Sequence, residues 1–147
     1  MKHCLVALLA GLLGTGSALA QVKPEDALHY RKSGYSMVVW HFSPMGAMVR
    51  GKVPFDKAAF ARHAGHLANI VPMLLEGFPK GSAVGKSEAK PEIWSSWADF
   101  QIKMRDFETQ TRLLADIAKL GDEAKMKEQF GKVGATCKAC HDKYKKD

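Results

Sequence analysis

Between Trp94 and Ile117 the residues Trp94, Trp97, Phe100, Met104, Phe107, Thr111, Leu114 and Ile117 recur at every third or fourth position, apolar with one polar interruption. That period is the helical one and it holds over nearly all of the chain after residue 20, so a core can form only by laying helix stripes against one another. Pro24 suits a first helical position, with Glu25 and Asp26 in the favourable first turn. It predicts a helix through "PEDALHYRKSGYSMVVWHF" that meets Pro44 and Gly46, with MGAMVRG as a kinked extension. Asp56 suits the cap of a second helix carrying Phe60, Ala64, Leu67, Val71 and Leu74, bent late by Pro72. The segment PKGSAVGKSEAK (79–90) is rich in Gly, Ser and Lys and has no period, and a third helix is expected to begin near Pro91. Gly121 and Asp122 read as stop and restart; the last helix then carries Met126, Phe130, Val133, Cys137, Cys140, His141 and Tyr144 along one side. No strand pattern competes. The expected fold is all-α, an antiparallel up-down-up-down four-helix bundle.

Residues 1–20, MKHCLVALLAGLLGTGSALA, combine Lys2, an apolar run from Cys4 to Leu13 and an Ala-Leu-Ala ending. This is the pattern of a secretory signal peptide cleaved after Ala20, and its apolar run is too short to span a bilayer. Residues 21–147 are then one exported domain with no membrane span, expected in a periplasm. Losing Lys2 takes the net charge from +7 to +6. The excess is spread along the chain rather than gathered in a stripe, which argues against nucleic acid as a partner. Cys4 leaves with the leader, so two cysteines remain in a compartment where free thiols oxidise.

Those two stand in Cys137-Lys138-Ala139-Cys140-His141. A structural zinc site needs four ligands, normally a second cysteine pair, and there is none. His63 and His66 share a helix face, but that spacing is far commoner in ordinary surface histidines. A redox dithiol belongs at a helix start beside a βαβ unit, whereas this pair lies near a helix end, where the dipole disfavours a thiolate. Covalent haem c accounts for all five residues, with Cys137 and Cys140 as two thioether attachments and His141 as axial ligand to the iron. No acid-base or nucleophile constellation implies an enzyme.

A Cys-x-x-Cys-His on the fourth helix of a bundle, with "KPEDALHYRKSGYSM", "KPEIWSSWADF" and "FGKVGATCKACHDKYKK" around it, resembles the class II c-type cytochromes known as cytochrome c'. The resemblance implies a homodimer of four-helix bundles, each with one covalently attached haem whose iron has histidine as its only protein ligand. It also implies binding of nitric oxide and carbon monoxide, discrimination against dioxygen, and electron transfer with a redox partner the sequence does not name. By position it assigns Cys137 and Cys140 to attachment, His141 to the metal, Arg31 to a haem propionate and Tyr35 to the distal side. Lys145 falls where such proteins commonly have arginine.

The first helix is consistent with this. At 100° per residue Leu28, Arg31, Tyr35, Val38 and Phe42 fall within about 80° of one another, so Arg31 and Tyr35 share the core face one turn apart. An arginine there needs an anion. Tyr30, Met37, Trp40 and His41 lie on another side, and a helix with two apolar faces predicts a dimer interface along it. The competing expectation is a low-spin electron carrier with Met37 as sixth ligand. Met37, however, lies about 120° from Arg31 on a regular helix.

Overall fold

The computed structural model describes residues 22–146, so the signal-peptide expectation for 1–20 lies outside the described residues. The first helix, α1, spans Pro24–Val49. Pro44 and Gly46 do not end it: both lie inside, and Met45, Gly46 and Met48 are buried. Packing offsets the hydrogen bond that Pro44 cannot donate. Phe42 stacks on Phe130 at 4.3 Å, and a Cβ at Gly46 would stand 3.3 Å from the same ring. Glycine thus brings α1 close to the last helix here, and the extension expected through MGAMVRG continues the same helix to Val49.

Asp56 caps α2 (Lys57–Ile70), its Oδ1 accepting from the Ala59 N–H at 2.9 Å. At Val71 the chain tightens into a 3₁₀ turn, Val71–Gly77, around Pro72, the late bend the sequence predicts. The aperiodic 79–90 segment follows without regular structure apart from an isolated bridge between Ala89 and Lys145. The expected third helix is split into a single turn, α3 (Glu92–Ser95), and α4 (Trp97–Leu120), parted at Ser96 with φ −115° and ψ 41°. The split falls where Trp94 is held sideways, its indole N–H donating to the Pro79 carbonyl at 3.0 Å. Gly121, left-handed at φ 72°, closes α4, and Asp122 caps α5 (Glu123–Tyr144).

Around the bundle α1 packs on α2, α2 on α4, and α4 on α5; α1 and α5 close the ring with the lightest packing of the four pairs. Phe60, Leu67, Phe100, Leu114, Met126 and Val133 are buried between them. Aromatic residues form one group around Phe42, Phe60 and Phe130, with Phe42 stacked on Phe130 and Phe60 edge-on to it, and a second, edge-to-face, around Phe78, Phe100 and Tyr144. Buried polar groups are paired: Gln129 Nε2 donates to the Gln110 carbonyl and Oε1, and Thr111 and Thr136 donate to carbonyls of their own helices. No described helix is long and apolar enough to cross a membrane.

Candidate haem-attachment site

Cys137 and Cys140, one turn apart near the end of α5, are half-buried free thiols packed against the core. Burial pushes both thiols up, that of Cys140 to about 11 even though Lys103 pulls it down. Neither is a thiolate at neutral pH, which is the reverse of the depressed pKa a redox dithiol uses. His141 departs from the expected stripe. Cys137 and Tyr144, seven residues apart, face inward, while His141 sits about 40° from Cys137 on the far side from Cys140 and is exposed at the rim. Partial desolvation, and then Lys145, lower its pKa, leaving the neutral imidazole that a metal needs.

Facing this end of α5 is the first half of α1. Arg31 is buried at 4 % exposure, so it does not reach out to solvent. Its Nη1 donates to the Gly77 carbonyl at 2.6 Å and to Ser82 Oγ at 2.8 Å, and its Nη2 to the Ser82 carbonyl at 2.7 Å. The guanidinium also lies over the rings of Phe78 and Trp94, at 5.0 and 5.6 Å. A Cβ at Gly77 would stand 2.6 Å from Arg31 Cγ, so only glycine permits this approach. Desolvation lowers the pKa of Arg31, yet no carboxylate among the described residues pairs with it. Of its five N–H donors the three bonds above use three, and Nε–H and one Nη2 hydrogen are left for an anion.

Tyr35 lies one turn further on, partly buried, with its hydroxyl donating to Met104 Sδ at 3.6 Å and its ring edge-on to Phe78. Burial raises its pKa strongly, and Cys140 and Cys137 raise it further, so phenol and thiols share one region of low dielectric. Met37 is 46 % exposed on the outer side of α1. Lys145 is engaged, its Nζ 2.9 Å from Glu88 Oε2. The structure therefore brings Arg31, Tyr35, Cys137 and Cys140 to one end of the bundle, with His141 at its edge. Sequence reasoning missed Gly77, Ser82 and Asp99. Asp99 Oδ2 accepts from Tyr144 at 2.5 Å and pairs with Lys143 at 2.9 Å, fastening α5 to α4 beside Cys140. Gly77, immediately before Phe78-Pro79, carried a weak signal as a glycine at a turn; nothing local distinguishes Ser82 from Ser87.

The donor set fits covalent haem: two protonated thiols on one helix face, a neutral imidazole beside them, and, on α1 against the 77–94 stretch, a buried cation with donors to spare. A helical bundle with this set is the frame of a class II c-type cytochrome. Residues 26–145 match the family described as Cytochrome C'. Cytochrome c' of Halomonas halodenitrificans is 35 % identical over 129 residues, covering 84 % of this chain and 98 % of that one. The solved cytochrome c prime from Shewanella frigidimarina superposes with a TM-score of 0.83 at 42 % identity, covering 85 % and 98 % of the two chains. The nitric oxide complex of a mutant cytochrome c prime from Alcaligenes xylosoxidans gives 0.80 at 38 %, covering 86 % and 98 %, and a carbon monoxide-bound variant of that protein is also solved. The chain belongs to the cytochrome c' family, and its cofactor is covalently attached haem c.

Proposed function

We propose that residues 21–147 form an exported, periplasmic haem protein that binds nitric oxide and carbon monoxide at an iron held by His141 alone, with electron transfer to a redox partner as an accompanying role. Cys137 and Cys140 hold the haem through thioethers, and Arg31 turns its free N–H donors to a propionate. When bound, the haem supplies an iron with one open coordination position. The carrying observation is the contrast on α1: Tyr35, a poor ligand, faces the thiols, while Met37, the candidate sixth ligand of a low-spin carrier, is exposed on the other side. Tyr35 has its hydroxyl turned to Met104, so it fills space beside the site without offering its proton to a bound diatomic. That favours nitric oxide and carbon monoxide, which need no distal donor, over dioxygen, which gains most from one. The Alcaligenes relative's complexes with both gases support the same reading.

The exposed apolar residues Tyr30, Met37 and Trp40 of α1, Trp40 at 74 %, support a homodimer through this helix. Absorption and electron paramagnetic resonance spectra of the haem-loaded protein, oxidised and reduced, before and after nitric oxide, test the site. High-spin iron that takes up the gas is expected. A low-spin iron with a methionine charge-transfer band would overturn the assignment of an open position.

A further inference from the structure

Away from the cysteines, α1 and α2 bring three imidazoles together. His41 of α1 and His63 of α2 are both half-buried and hydrogen-bonded to each other through their Nδ1 atoms, 3.1 Å apart, the tautomer deciding which ring donates. His66, further along α2 and exposed, stacks on His41 with ring centroids 4.8 Å apart. His41 lies ten residues beyond Arg31, about 15 Å along the helix axis, so the cluster is separate from the haem-attachment site.

Two nitrogens bound to one first-row metal ion, at bonds of about 2.0–2.1 Å and angles of about 90–110°, stand about 2.9–3.4 Å from each other. The His41–His63 separation of 3.1 Å falls inside that range. We infer that His41 and His63 form a two-histidine site for a divalent first-row transition-metal ion that bridges α1 and α2, with water completing the coordination. Imidazole nitrogen selects zinc, copper(II) or nickel over calcium or magnesium, which prefer oxygen.

The surroundings agree. Burial, then the neighbouring imidazoles, lower the pKa of His41; burial, then Arg62 and His66, lower that of His63. One Nδ1 of the pair carries the proton they share, and a shift of that ring to its Nε2–H tautomer leaves both Nδ1 lone pairs to the ion. Each histidine is carried by a helix already packed on its neighbour, so the pair is held ready without ordering a loop. No group of three His, Cys, Asp or Glu among the described residues is arranged to hold an ion, so His66 stacks rather than ligates. The charge of Arg62 opposes a bound cation, which sets the site to a modest affinity.

Zinc is the suitable probe, being redox-silent and colourless beside a haem. Isothermal titration of the haem-loaded protein with zinc chloride at pH 7 is expected to show one ion per chain, with a raised thermal midpoint because the ion binds only the folded state. His41→Gln and His63→Gln are each expected to weaken binding by about tenfold or more, with haem absorption and helical circular dichroism unchanged, whereas His66→Gln leaves binding as it was. No uptake at up to millimolar zinc, or equal uptake by the His41 and His63 variants, overturns the site. Should either variant fold poorly, diethylpyrocarbonate labelling of the unaltered protein reads the same question by mass spectrometry. Zinc is expected to protect His41 and His63, and labelling of both at the unprotected rate would refute the inference.

Discussion

Replacing Arg31 by methionine keeps an unbranched apolar stem and deletes the guanidinium, together with its bonds to the Gly77 carbonyl, Ser82 Oγ and the Ser82 carbonyl. The Ser82 hydroxyl keeps a partner, since it donates to the Pro79 carbonyl at 2.7 Å. The carbonyls of Gly77 and Ser82 do not, and two buried acceptors left unpaired cost about 2–6 kcal/mol together, at about 1–3 each. Against this stands relief from burying a charge, which amounts to several kcal/mol in an apolar setting. Here that penalty is already reduced by three short bonds and two aromatic faces, so the acceptor loss dominates. The expected net effect is a destabilisation of about 1–3 kcal/mol. Urea unfolding of the haem-loaded protein, followed by far-ultraviolet circular dichroism, should show a lower midpoint with an unchanged slope. A variant as stable as the parent would refute the claim that the guanidinium fastens α1 to the 77–82 backbone.

Tyr35→Ala opens the space beside the thiols, and carbon monoxide should associate faster with the reduced protein in flash photolysis; an unchanged or slower rate removes Tyr35 from the ligand's path. Folded His41 and His63 resist protons that the unfolded chain accepts near its ordinary pKa of 6.5, so the unfolded state binds more protons on acidification and stability falls from about pH 7 toward about pH 5. Replacing both histidines by glutamine should flatten that fall, measured as unfolding free energy against pH; an equally steep fall places its origin elsewhere. Trp40→Glu puts a charge on the exposed stripe of α1, and sedimentation should then give a single-chain mass where the parent gives twice that, whereas equal masses would dismiss α1 as the interface.

Features written in a few neighbouring residues were legible in the sequence. Asp56 and Asp122 cap their helices, Pro72 tightens the end of α2 and Gly121 stops α4, because each acts through its own backbone bonds or φ angle. The expectation of one unbroken third helix from Pro91 failed because a distant group decides the outcome there: Pro79 holds Trp94, and the helix is parted at Ser96. The same division runs through the site. Cys137, Cys140 and His141 are recognisable as a contiguous motif, and the Arg31–Tyr35 spacing follows from the helical period. The partners of Arg31, separated from it by 46 and 51 positions, leave no trace in any local pattern. His41 and His63 come from different helices, so the spacing of His63 and His66 drew attention to a neighbouring pair and away from the one whose nitrogens meet.

Two of the three acceptors that fasten Arg31 are main-chain carbonyls, of Gly77 and Ser82. A carbonyl belongs to every residue type, so exchanging the side chain at position 82 deletes only one strand of the anchorage. What the anchorage cannot absorb is a change in the number of residues between 77 and 82, which would carry one carbonyl away from the other. The stretch that looks most like a permissive linker is thus tolerant in letters and intolerant in length, and a one-residue insertion there should unsettle the arginine more than any single substitution at position 82.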